Sequence, residues 1–207
     1  MKGIFITIEG LDGAGKTTQI RYIKEFLEKK GYEVLVTREP GGTIIGEKIR
    51  NIILDKEHME MSGMTEALLY AASRSQHVSQ VIIPALERNV VVLCDRFVDS
   101  SLVYQGAGRG LGYEVIKTIN DFATNFLEPN LTIFFDIPPE ITIERIRASR
   151  QSDRLEQEEI YFHNKVYNEY IELSKKFQNR IKIVKANNTI ENIKSDIEVI
   201  IKELLEA

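Results

Sequence analysis

The chain has 207 residues, with 27 Lys+Arg against 31 Asp+Glu, a net charge of −4 and one cysteine. That length supports one domain that buries roughly 70% of its unfolded surface without a disulfide or structural metal. The lone Cys94 excludes an internal disulfide, the acidic balance argues against a general nucleic-acid binder, and no apolar run approaches the roughly 20 residues of a membrane span. The N-terminus enters an apolar segment with no signal-peptide pattern, which predicts a cytoplasmic protein.

Residues 4–8 are apolar and β-branched and predict a buried strand. Gly10-Leu11-Asp12-Gly13-Ala14-Gly15-Lys16-Thr17 follows at once and fits G-x-x-x-x-G-K-[ST]. Residues 17–30 then carry Ile20, Ile23, Phe26 and Leu27 at helical spacing. Strand, glycine-rich loop and helix together make a phosphate cradle, because inward N–H groups and the helix N-terminus both favour an anion. Lys16 is placed to reach the β- and γ-phosphates of a nucleotide, and Thr17 to offer its hydroxyl to Mg²⁺.

Strand and helix patterns then alternate. Gly31 ends the first helix, and 34–37 predict a second strand. Pro40-Gly41-Gly42 is a turn, and Ile45, Ile49, Ile52 and Ile53 mark the next helix. Residues 65–87 read as a long helix that Pro84 kinks or ends. The third strand, 90–94, runs into Asp95; 112–127 read as helix; 131–136 are the fourth strand. Pro138 or Pro139 opens another helix, 181–184 are the fifth strand, and Thr189 caps a last helix through Ile193, Ile197, Ile200 and Leu204. This rhythm predicts an α/β fold with a five-stranded parallel sheet covered on both faces. Ligands then bind beyond the carboxyl ends of the strands, where segments 10–17, 38–43, 95–105 and 186–188 fall.

N-K-x-D is absent and no D-x-x-G follows a strand outside the phosphate loop itself, which argues against a GTPase switch. A kinase needs a second phosphate site, and Asp95-Arg96-Phe97 is a candidate. A strand-end carboxylate holds Mg²⁺ through water, and a neighbouring arginine grips a phosphoryl group with paired N–H bonds. Asp95 equally suits a helix cap, and Arg96 a surface ion pair. Arg38 also leaves a strand end, beside a rigid Pro-Gly-Gly turn. Residues 147–156 (RASRQSDRLE) form a basic stretch between two helices; it suits either a solvated charge run or a lid that neutralises a transferred phosphoryl group.

These segments resemble the thymidylate kinases of the nucleoside monophosphate kinase group over essentially the whole chain. The resemblance rests on Ile8 to Thr18, on Thr37 to Thr43 (TREPGGT), on Leu68 to His77 (LLYAASRSQH), on Asp95-Arg96-Phe97 and on Tyr104 to Gly110 (YQGAGRG). It implies a single P-loop domain over 1–207 with a three-layer fold and a short lid near 145–156. It implies transfer of the ATP γ-phosphoryl group to dTMP with Mg²⁺, in a homodimer, without nucleic-acid or membrane partners. ATP contacts fall on Gly10 through Thr18 and on Ala186 and Asn187. Asp12 resembles the acid near the acceptor 3′-hydroxyl, and Arg38 and Arg96 the pair on its phosphate. Tyr70 resembles the aromatic stacked on thymine, Arg74 the donor to its carbonyl, and Ser101 a polar neighbour of the base. Tyr104 and Gln105 resemble the wall that excludes a ribose 2′-hydroxyl. Some relatives carry an arginine where Gly13 stands, so the resemblance gives that role to lid residues Arg147, Arg150 and Arg154, as in the bacterial-type branch. A deoxynucleoside kinase, with Glu9 or Asp95 as base, and a non-catalytic nucleotide-binding protein are the two rival readings.

Overall fold

Among the residues described by the computed structural model, 3–149 and 153–206, five strands form one parallel sheet in the order β2-β3-β1-β4-β5. They are β1 (Phe5–Glu9), β2 (Val34–Arg38), β3 (Val91–Asp95), β4 (Leu131–Asp136) and β5 (Ile181–Lys185). Phe5 pairs with Val92 on one side of β1, and Ile6 with Leu131 on the other. Parallel pairing puts every carboxyl end at the same edge.

Burial follows sheet position. β1 is buried along its whole length, as are the apolar runs of β3 and β4, whereas edge strands β2 and β5 expose Val36 and Ile183. On one face, Ile6, Ile8 and Ile133 pack against Ile20, Ile23 and Leu27 of α1 (Lys16–Lys29) and against Ile193 and Ile197 of the last helix. On the other face, Phe5, Val92 and Cys94 meet Val78 and Ile82, while Phe134 meets Val166 and Tyr170. The period-two alternation of β1 thus feeds two separate cores, and each fully buried Ile or Leu contributes roughly 1.5–3 kcal/mol.

The remaining helices are α2 (Ile44–Leu54), α3 (Gly63–His77), α4 (Ile83–Glu87), α5 (Val98–Ser101), α6 (Tyr113–Thr124), α7 (Pro139–Ser149), α8 (Ile160–Lys176) and α9 (Ile190–Glu206). The Thr189 hydroxyl accepts from Asn192 N–H at 3.3 Å, as its capping position predicts. The long helix expected over 65–87 is broken by a π-helical stretch, Val78–Ile82, just before Pro84. A π-bulge absorbs the hydrogen bond that proline cannot donate. The helix expected over 112–127 stops at Thr124, where Asn125 and Phe126 take positive φ. Residues 98–108, expected only as a strand-end segment, are helical and end in a second π-helical stretch, Leu102–Gly108. Gly106, Gly108 and Gly110 read locally as loop residues. Packing of Val103 and Tyr104 into the core overrides that preference.

Candidate active site

The loop after β1 is built almost entirely from backbone. Gly15 sits at φ +88° and launches α1 at Lys16. Lys16 Nζ donates to the carbonyls of Gly10 (3.1 Å) and Leu11 (3.0 Å) and lies 3.6 Å from Asp12 Oδ1. Burial, with Arg96 nearby, pulls the lysine pKa below its ordinary value, and the carboxylates of Asp12 and Asp95 oppose this. Thr17 and Thr18 stay exposed on the first turn of α1. Gly13 has φ +80°, and a Cβ there would meet the Thr142 carbonyl of α7 at 2.8 Å. A side chain at position 13 is therefore opposed by α7 as well as by backbone conformation.

Asp95 ends β3 beside this loop. Its Oδ1 is buried and receives no hydrogen bond among the described residues. Buried carboxylate oxygens are seldom left bare, so a cation with its waters fits this atom. The described residues hold no cluster of three or more metal-ligating side chains. Mg²⁺ does not require one, because it binds through one or two protein oxygens, water and phosphate.

Immediately after Asp95 the chain bends at Arg96, a non-glycine residue at φ +68°. Glu9 holds that bend. Its Oε1 accepts from Phe97 N–H (2.8 Å) and Ser100 N–H (3.3 Å), and its Oε2 from the hydroxyls of Ser100 (2.6 Å) and Tyr170 (2.8 Å). Burial, and then Asp99, push the Glu9 pKa up to about 7. Arg96 is thereby aimed at Asp12 (2.9 Å) and lies over the ring of Tyr104.

A narrow cavity of about 80 Å³ opens here, lined by Asp12, Tyr70, Arg96, Ser101, Tyr104 and Gln105, with Asp153 and Leu155 completing the wall. Arg74 lies behind it, 1% exposed. It donates to Glu39 Oε2 (2.6 Å), Ser101 Oγ (3.0 Å), the Phe97 carbonyl (3.0 Å) and Asn120. Glu39 in turn meets His77 Nδ1 at 3.0 Å, and His77 Nε2 lies 2.7 Å from Thr37 Oγ1. His77 is thus a buried structural partner of Glu39.

A second cavity, about 550 Å³, lies between the glycine-rich loop and the segment leading into α8. Asp12 and Tyr104 line both cavities, and Arg147 and His163 line the second. His163 is buried, and that burial lowers its pKa against the opposing pull of the Glu158 carbonyl.

Several expected residues stand elsewhere. Arg38 does not line the acceptor cavity: its fork is taken by Glu47 (2.8 and 3.0 Å) and the Pro40 carbonyl (2.7 Å), and Arg50 lines the wall instead. Arg154, expected on a mobile lid, is 2% exposed and bound to Glu66 Oε2 at 2.6 Å and the Ile53 carbonyl at 2.7 Å. A guanidinium so held is not offered to a phosphate. Arg147 is exposed at the second cavity, and Arg150 lies outside the described residues. Ala186 and Asn187 follow β5 at the correct sheet edge but line neither cavity. Sequence reasoning missed Glu39, Arg50, Glu66 and Asn120. Glu39 at least lay within the TREPGGT motif; the others carry no local signal.

A parallel sheet with a phosphate loop after its central strand, an acidic residue ending the next strand and a polar cavity on the same edge defines the P-loop nucleotide-binding class. The family model described as thymidylate kinase matches residues 8–197. The chain is 51% identical over 195 residues to thymidylate kinase of Geobacillus sp. (strain WCH70), covering 93% of each chain. It is 50% identical to that of Geobacillus thermodenitrificans, covering 100% of this chain and 92% of the relative. The crystal structure of thymidylate kinase from Ehrlichia chaffeensis superposes with a TM-score of 0.79 at 29% identity, covering 98% of this chain and 99% of that one. The chain belongs to the thymidylate kinase family.

Proposed function

We propose that this protein transfers the γ-phosphoryl group of ATP to dTMP, giving dTDP for dTTP synthesis, as one P-loop domain with residues 145–156 acting as a lid. The observation that carries this reading is Asp12, which lines the acceptor cavity and the loop-side cavity at once and accepts from Arg96 in the acceptor cavity. A phosphorylated acceptor then lies beside the donor loop. The acceptor phosphate is already a nucleophile, so positioning and charge neutralisation are the catalytic work.

In this assignment Lys16 and the loop amides from Gly10 to Thr18 hold the donor phosphates. Arg96 holds the acceptor phosphate, and Arg50 adds positive charge at the wall. Tyr70 stacks on the base, Ser101 meets its polar edge with its hydroxyl held by Arg74 from behind the wall, and Tyr104 with Gln105 walls off a 2′-hydroxyl. Arg147 faces the developing charge. Mg²⁺, held by Thr17 and Asp95, supplies charge neutralisation on the phosphates when bound. The deoxynucleoside kinase reading loses Glu9 as its base, because Glu9 has no exposed surface and accepts from Phe97, Ser100 and Tyr170, and its other candidate, Asp95, is here given to Mg²⁺.

A homodimer suits the surface: Leu68 on α3 and Val115 and Phe122 on α6 are exposed, and Phe126 just beyond them is too. No described helix is long and apolar enough to cross a membrane, and the buried free thiol of Cys94 suits a reducing cytoplasm.

A coupled ADP-release assay with ATP and Mg²⁺ tests the reaction. Strong preference for dTMP over thymidine, dUMP and other monophosphates is the expected result. Turnover of thymidine but not dTMP would overturn the acceptor assignment, and binding of both nucleotides without turnover would make the protein a non-catalytic binder.

A further inference from the structure

Glu66, in the first turn of α3, has no exposed surface, and no part of the reaction described above uses it. Its carboxylate nevertheless collects three donors from two distant segments. Oε1 accepts from Gln105 Nε2 at 2.8 Å. Oε2 accepts from Arg109 Nη2 at 3.0 Å and from Arg154 Nη2 at 2.6 Å. Arg109 continues to Glu158 Oε1 at 2.6 Å. Arg154 continues to the Ile53 carbonyl, and its own N–H reaches the Leu54 carbonyl at 3.4 Å.

Two of the three donor residues, Gln105 and Arg154, stand at or beside the wall of the acceptor cavity. Gln105 and Leu54 line it directly, and Asp153 and Leu155 flank Arg154 in sequence. Burial alone would push the Glu66 carboxyl up, but Arg109, Gln105 and Arg154 hold it below the ordinary carboxylate range, so it is ionised. A buried carboxylate shared by two guanidinium groups fixes their geometry tightly, because an ionised carboxylate left without its partners in the interior is costly.

We propose that Glu66 is a positioning residue for the acceptor site: through Gln105 and Arg154 it holds the π-helical stretch and the Asp153–Glu156 turn together as one wall around dTMP. This rests on the reading of that cavity as the dTMP site. The hydrogen bonds of Glu66 run to Gln105, Arg109 and Arg154 rather than to the donor loop, so its loss weakens acceptor binding more than ATP binding.

The test measures equilibrium affinities for dTMP and for ATP separately, in wild type, Glu66→Gln and Arg154→Lys. Arg154→Lys keeps the charge but cannot span Glu66 and the Ile53 carbonyl, and it carries the test should Glu66→Gln not fold. Expected are at least a tenfold loss of dTMP affinity in each folded variant, ATP affinity within threefold of wild type, and a double variant no weaker than the weaker single one. A variant that keeps its melting transition and binds dTMP like wild type overturns the proposal, as does an equal loss of both affinities. Wild type that fails to bind dTMP overturns the assignment of the cavity instead and leaves the Glu66 cluster as observed.

Discussion

The donor loop and the acceptor cavity lie at the same edge of one sheet, yet they are built on opposite principles. The loop is a contiguous stretch whose functional groups are mostly backbone N–H groups, set by glycine conformations and a helix start. The cavity draws side chains from the β1 loop, α2, α3, the bend after β3 and the Asp153–Glu156 turn, and the arginines in and behind its wall are held by buried acids. Glu39 holds Arg74, Glu9 holds the backbone at Arg96, and Glu66 holds Arg154. Backbone sites tolerate side-chain changes but not backbone changes; side-chain sites depend on every acid behind them.

That contrast breaks most visibly at Arg96. Arg96→Ala removes the charge on the acceptor phosphate and should lower kcat/KM for dTMP about a thousandfold. ATP affinity measured alone should stay near wild type. A comparable loss of ATP affinity would show that the two regions are not separable.

The loop should fail in the complementary way. Gly13→Arg forces a side chain into positive φ and against the Thr142 carbonyl. The combined strain and overpacking should cost about 2–4 kcal/mol of stability by urea unfolding. Unchanged stability would mean that α7 yields and that the loop could accept an arginine after all.

A smaller effect sharpens the role of the supporting acids. Glu9 is raised from 4.5 to about 7 in the fold, mainly by burial. A raised carboxyl favours the folded state fully below about pH 4.5, and that contribution is lost as pH rises to about 7. Glu9→Gln cannot ionise and removes this slope. The stability difference, wild type minus variant, should therefore fall between pH 4.5 and 7.5 in urea titrations. A flat difference would mean that Glu9 does not titrate in that window.

Much of the fold was legible locally. The five strands fall within a residue or so of their apolar runs, since buried parallel strands need continuous β-branched sequence. The phosphate loop was legible because its chemistry is contiguous. The helical stretch 98–108 was not, since its glycines signal a loop and only burial of Val103, Tyr104 and Gln105 makes it helical. Arg38 and Arg154 show the limit most clearly. Both were read as phosphate-facing arginines, but which carboxylate captures each depends on Glu47 and on Glu66, 88 residues away from Arg154.

By itself, then, the sequence determined the sheet, its parallel order of strand and helix, the phosphate loop and the strand-end acid, because each rests on periodicity or adjacent residues. Only the tertiary structure decided which arginines face the acceptor and which are tied behind the wall. A guanidinium reaches several angstroms from its backbone in any direction, and its direction is settled by acids that the fold, not the chain order, brings beside it.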